Sequence, residues 1–171
     1  MDLWEKYQEF ERYAITLTPA DLAALDDDTL TEALRARVMH YAQEKYGFDF
    51  TKASDGMSLP LRTAFVLFSF DAEIQNGGLD QFFFNSTSEL APYVADALML
   101  VGACEYADLF AHACEENGID PCDSSTFEDD DEDDEDENLF DEFDDAYYAL
   151  YEEKPLEPYI TRYVRAHLED F

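Results

Sequence analysis

Carboxylates are the groups in this sequence whose number and spacing could do chemistry. Ten stand in one run: Glu128, Asp129, Asp130, Asp131, Glu132, Asp133, Asp134, Glu135, Asp136 and Glu137. A second cluster, Asp141, Glu142, Asp144 and Asp145, is interleaved with Leu139, Phe140, Phe143 and Tyr147, and a third, Asp26, Asp27 and Asp28, precedes Leu30. Clustered carboxylates can bind hard cations through oxygen, or they can present a row of negative charge to a basic partner. For calcium, the run offers Asp129, Asp131 and Asp133 at alternate positions, but Asp134 stands where an EF-hand loop needs glycine, and flanking helices are missing. Only weak, diffuse cation condensation is expected there. As a charge row the second cluster is better placed. On a helix Asp141 lies beside Asp144 and Asp145, with about 5–6 Å between Cβ atoms, a spacing that resembles neighbouring phosphates held by an apolar face beneath. The third cluster falls at a helix start, where the helix dipole tolerates acids. Either cluster alone reads as helix-start acids on a solvated face. Both together, beside the ten-acid run and without compensating lysines, indicate a surface selected to be negative.

Other chemistry is hard to find. The sequence holds no Gly-rich phosphate loop, no GxSxG and no HExxH, so it is not read as an enzyme. His40 and His167 fall near apolar helix faces and read as packed or half-exposed residues. His112 precedes Cys114 by two residues, with Cys104 and Cys122 nearby, but these spacings match no standard zinc site. No metal and no cofactor is expected. Three cysteines, an odd number without CxxC spacing, do not make a disulfide framework.

The charge balance bounds the function. Of 171 residues, 42 are Asp or Glu and 10 are Lys or Arg, a formal net charge of −32. Residues 1–127 and residues 128–153 each carry a net −16, and residues 154–171 are neutral. Half of the excess therefore lies outside the acidic run. At 47% hydrophobic and 15% aromatic, the chain has not given up the residues that disordered acidic proteins lack, so wholesale disorder is excluded. Ten bases among 42 acids also exclude a direct nucleic-acid binder and make an anionic membrane an unsuitable partner. A globule of this length has a radius of gyration of roughly 15 Å and is about 40 Å across. Duplex DNA of that length carries roughly 24 charges, the same order as the protein. With no secretory signal and no apolar stretch near the roughly 20 residues of a membrane span, a cytoplasmic protein is expected.

The elements that must position these groups read as helices. Leu3, Tyr7, Phe10, Ala14 and Leu17 recur at helical spacing. Thr18, Pro19 and Asp21 open a short helix to Leu25. A longer one from about Thr29 carries Leu30, Leu34, Val38 and Tyr41 and ends at Gly47. FDFTKASDGMS reads as a polar loop. An apolar helix from about Leu59 to Gln75 belongs at the centre of the core, and Asn76, Gly77 and Gly78 stop it in a turn that the side chains of Glu73, Gln75, Asn76 and Gln81 are placed to hydrogen-bond. The aromatic helix LDQFFF follows, then helices over about 89–102 and 103–116. Helix resumes at Leu139 after the acidic insertion near residues 118–138, and a last helix carries Ile160, Tyr163, Val164, His167 and Leu168. The expectation is an all-α fold, one compact multi-helix domain over residues 1–171.

The segment FDAEIQNGGLDQFFFNST, with Glu73 before Asn76-Gly77-Gly78 and then Gln81, Phe82, Phe83 and Asn85-Ser86, resembles the signature of a bacterial family of nineteen-kilodalton acidic DNA-mimic proteins. Ala97, Leu98, Gly102, Ala103 and Ala107 look like that family's next helices. The resemblance in motif covers roughly residues 59–117. It implies a mainly helical homodimer whose carboxylates imitate DNA phosphates. Such a protein would occupy the DNA-binding face of a transcription factor, of helix-turn-helix type, and so relieve repression. The candidate phosphate-mimicking carboxylates are Asp26, Asp27, Asp28, Glu128, Asp129, Asp130, Asp131, Glu132, Asp133, Asp134, Asp141, Glu142, Asp144 and Asp145. The competing reading is an acidic chaperone or escort of basic nucleic-acid-binding proteins, which would load function onto the ten-acid run. For a dimer contact, exposed aromatic helices such as LDQFFF or the last helix are the candidates.

Overall fold

The computed structural model describes residues 2–127 and 139–171. Among these it is all-helical, with nine α-helices, three short 3-10 turns and no strand. The expected fold class is what the chain adopts. It forms two compact units, Met1–Phe65 with Glu157–Phe171, and Val66–Leu156. The ten-acid run lies outside the described residues.

The first unit is built round α3 (Asp27–Tyr46), whose Leu30, Ala33, Leu34, Val38 and Ala42 are fully buried. Helix starts are written in side chains. Asp2 and Glu5 form a capping box on α1 (Leu3–Ala14), and Thr18 and Asp21 form one on α2 (Pro19–Ala23). Gly47, in the left-handed region at φ 61°, ends α3. The segment expected to be a polar loop is instead α4 (Phe50–Gly56). Asp49 caps it by accepting from the Lys52 amide at 2.9 Å, Phe50 stacks on Phe65 at 5.7 Å, and Ala53 is buried. Two apolar anchors four residues apart or fewer are too few to show helical periodicity, yet enough to hold a two-turn helix once a cap is present. Arg37 on α3 donates to the carbonyls of Ala14, Leu17 and Phe171 at 2.7–2.9 Å. The unit closes with α9 (Glu157–Arg165).

The second unit takes up α5 (Leu59–Phe84) from Val66, with α6 (Ala91–Val101), α7 (Cys104–Glu116) and α8 (Asp141–Glu153). Residues 64–70 are buried on every side, as their apolarity, interrupted only by Ser69, requires. Phe70 meets Phe82, Phe110 and Tyr147 edge-on, with centroids 5.1, 5.6 and 6.1 Å away. Tyr147 donates its hydroxyl to the buried Asp71 at 2.8 Å. Phe82 and Phe83 of LDQFFF therefore belong to the core. Only Phe84, 91% exposed, faces solvent, so that helix offers one aromatic to a partner, not a patch. No described helix is long and apolar enough to cross a membrane.

The expected stop at Asn76-Gly77-Gly78 is a break inside α5. Gly78 sits at φ 79°, ψ −171°, a region closed to side chains, and its Cα faces the Asp144 carboxylate. Asp144 accepts from the Leu79 amide at 2.9 Å, satisfying a first-turn N–H of the resumed helix. Glu73 spans the break by accepting from Gln81 Nε2 at 2.7 Å, Asn85 Nδ2 at 2.9 Å and Thr87 Oγ1 at 3.2 Å. Glu73 and Gln81 thus bond to each other across the turn, and not to the turn itself as expected, while Asn85 and Thr87 complete the clasp and Gln75 and Asn76 are exposed. A methyl group at position 78 must displace Asp144 as well as strain the backbone. Gly78→Ala is therefore expected to lower the unfolding free energy by at least about 1–3 kcal/mol, read from urea unfolding. Gly118→Ala, also at positive φ but with open space around it, is expected to lose less.

Candidate functional site

The acids and bases of this chain are not mixed. From residue 63 to residue 153, a span of 91 residues, there is no Lys or Arg. The first unit accordingly holds 15 acids and 9 bases, net −6, whereas the second holds 27 acids and a single base, net −26. Removing the ten-acid run leaves the second unit at −16. A unit of its length has a radius of gyration of roughly 12 Å and is about 32 Å across. Duplex DNA of that length carries roughly 19 charges. The described part of the second unit alone approaches the charge density of a duplex.

The side chains that present this charge stand largely on two helices packed against each other, α7 and α8. Each has 13 residues, hence about 20 Å of axis. On α7 Glu105, Asp108, Glu115 and Glu116 are exposed, and on α8 Asp141, Glu142, Asp145, Glu152 and Glu153 are exposed. Nine carboxylates along about 20 Å make one per roughly 2 Å, against about 1.7 Å for duplex DNA. The two helices are held in register from below and at one end. Tyr106 and Tyr147 meet edge-on at 5.1 Å, and Tyr106 donates to the Lys154 carbonyl at 2.8 Å. Lys154, the unit's one base, reaches across to both oxygens of Glu105 at 2.7–2.8 Å. It neutralises one carboxylate while fixing the end of the pair.

The predicted site residues fall into different situations. Asp26 caps α3, accepting from Thr29 N and Oγ1 at 2.9 Å, and these bonds hold its carboxyl below the usual range. Asp27 accepts from Arg165 Nε at 2.8 Å and Nη2 at 2.6 Å, so its charge is paired. Asp28 is exposed. All three lie in the nearly balanced first unit. Asp141, Glu142 and Asp145 are exposed on α8, but Asp144 is turned inward onto the Gly78 break. Glu128, Asp129, Asp130, Asp131, Glu132, Asp133 and Asp134 lie outside the described residues. Sequence reasoning missed Glu105, Asp108, Glu115, Glu116, Glu152 and Glu153, and it missed Asp80. The signal that finds them is the 91-residue absence of bases, which a search for acidic clusters passes over.

Asp80 adds an electrostatic feature. Partial burial, then the charge of Asp141, push its carboxyl above the ordinary range. Asp144 is raised by burial, against the lowering bond from Leu79, with Asp80, Asp141 and Asp145 adding repulsion. Acids of α5 and α8 therefore crowd one another round the break. Burial pushes the Cys114 thiol up to about 12, and among the described residues no group of His, Cys, Asp and Glu is arranged to hold a metal ion.

The family model described as DMP19-like protein matches residues 55–167. The match runs from the end of α4 through α9 and so takes in the break, both acidic helices and the run between them. No curated protein and no solved structure matches the chain.

The crowded acids carry a pH signature. A carboxyl whose folded pKa is raised binds its proton more tightly folded than unfolded, so its contribution to stability is full at low pH and is lost as pH rises through the raised value. For Asp80 and Asp144 that loss begins at the ordinary carboxylate range, near 3.8, and extends above it. Capping acids such as Asp21, Asp26 and Asp49 act oppositely, and their contribution is lost as pH falls below that range. Melting temperature is therefore expected to rise as pH is lowered from 7 towards the carboxylate range and to fall again below that range. Asp80→Asn should raise the pH 7 value and reduce the rise. Scanning calorimetry across pH checks both.

Proposed function

This chain belongs to the DMP19-like protein family, and from that premise we propose that it is a DNA mimic: it occupies the DNA-binding face of a transcription factor, of helix-turn-helix type, and relieves repression by keeping that factor off its operator. The observation that carries the proposal is the single-signed charge of the second unit. Its carboxylates stand on packed helices, α7 and α8, at about the linear density of duplex phosphates. Like charges fixed on a rigid pair do not spread apart as they would on an unfolded tail, so a basic face meets them as it meets a duplex. Binding then releases counter-ions from the mimic as it does from DNA, and association is fast and strongly salt-dependent.

The proposal redistributes the candidate residues. Asp141, Glu142, Asp145, Glu152 and Glu153, with Asp108, Glu115 and Glu116, are the phosphate-like set. Asp144 positions the break, and Asp26 and Asp27 serve α3. The run Glu128 to Asp134 adds long-range attraction by sequence charge alone. An acidic escort of basic proteins, the other reading, needs the run and no particular helix face.

The test is competition. The protein is immobilised, host lysate is applied at low salt, and bound proteins are eluted first with random-sequence duplex DNA and then with salt. The retained proteins are expected to be ones that a duplex-DNA column also holds, and duplex should release them. Replacing Asp108, Glu115, Glu142 and Asp145 by their amides should weaken binding about 10–100-fold and shallow the salt dependence by about one in log–log slope per lost contact. Deleting residues 128–137 should leave most of the affinity. A partner that holds the protein and its operator at once, or affinity that vanishes with the run alone, overturns the mimic.

A further inference from the structure

Between α7 and α8 the surface is not only acidic. A shallow groove of about 480 Å³ is lined by Glu105, Asp108, Leu109 and His112 from α7 and by Ala146 and Leu150 from α8. Leu109, Ala146 and Leu150 are each part-exposed and form an apolar floor. Helical spacing extends both margins with charge. Glu116 follows His112 by four residues, and its carboxylate lies 3.2 Å from that ring. Glu142 precedes Ala146 by four and Glu153 follows Leu150 by three, on the same side of α8. The result is a trough with an apolar bed and acidic margins along about 20 Å.

Resting on the mimic reading, we propose that this α7–α8 groove receives one helix of the partner, a basic amphipathic helix that carries apolar side chains between its arginines or lysines. Charge complementarity commits the occupant. The unit's single Lys or Arg is spent on Glu105 and the groove's His112 already faces Glu116 at 3.2 Å, so an acidic or neutral helix finds no unengaged cationic counterpart here. Packed helices lie about 8–10 Å apart, of the order of the roughly 12 Å major groove that admits a helix in duplex DNA. In that groove arginine and lysine meet the backbone and base edges, while apolar side chains meet thymine methyl groups. Leu109, Ala146 and Leu150 supply the apolar contact and the carboxylates on either side supply the charge. The groove thus imitates the floor of a DNA groove as well as its phosphates. Carboxylates set salt dependence and the floor sets a part of the affinity that salt does not remove, because apolar burial is indifferent to screening.

The test uses the full chain and two synthetic helical peptides of equal charge. Both carry arginines along the flanks of one face. One has leucines between them and the other has glutamines, which have similar helix propensity. The leucine peptide is expected to bind about tenfold more tightly, at 0.05 M and at 0.3 M salt alike, with parallel salt slopes. Leu150→Ala should remove that advantage without changing the slope. Ala146→Gln, which lays a polar side chain over the bed and spares the core, should do the same if Leu150→Ala disturbs folding. Glu142→Gln should shallow the slope and keep the advantage. Equal binding of the two peptides overturns the groove and leaves the mimic standing, as does an advantage that survives both floor variants. Failure of both peptides to bind, or of duplex DNA to share a partner with the protein, overturns both.

Discussion

Repulsion among carboxylates that have no counter-ions is the constraint to which the second unit answers. With 27 acids and one base in that unit, every helix carrying them is pushed away from its neighbour, and no network of ion pairs holds it back. What opposes the push is aromatic burial. Phe70, Phe82, Phe110 and Tyr147 interlock beneath α7 and α8, and large buried rings give the most apolar area per residue. The high aromatic content, which at first only argued against disorder, is thus the counterpart of the charge. A leaner core under the same surface would splay.

The first unit shows what bases do in the same chain when they are present. They tie the backbone together more than they balance charge. Arg37 gathers three carbonyls from the end of α1, the following turn and the last residue. Arg165 holds the Leu25 carbonyl as well as Asp27. Confining such ties to the first unit leaves the second with a surface of one sign. A lysine among its helices would collapse onto the nearest carboxylates, as Lys154 does onto Glu105, and the line of charge would be interrupted.

The helices were legible because their signals are local: a cap at Thr18, a left-handed glycine at 47, and apolar spacing along α1, α3 and α5. The α4 segment was not, since a seven-residue helix is too short to show a period and its stability comes from Phe65, fifteen residues from Phe50 in sequence. The break at Gly77-Gly78 was legible as a stop, but not the fact that Asp144, 65 residues away, completes it. For the site, acidic clusters were a partial guide. They weight sequence neighbours, whereas a docking face is assembled from helices distant in sequence. Glu105 and Asp108 are isolated in the sequence and meet α8 only on folding.

Counting acids therefore overstates the charge that faces a partner. Asp71 lies in the core beneath Tyr147, Glu73 clasps the break, Asp144 caps it and Asp27 answers an arginine. A chain under selection for charge alone would gain as much from acids anywhere on its surface. Here the carboxylates divide into those that fix the scaffold by accepting hydrogen bonds and those left pointing outward from the helices so fixed. The first kind is what gives the second its spacing. Asp144 and Asp145 are adjacent in sequence and of one chemical type, yet one sets the angle at which α5 resumes while the other faces solvent. Imitating a phosphate backbone needs this division of labour, because what a basic partner recognises is the interval between charges, and an interval exists only where something else has been used to hold it.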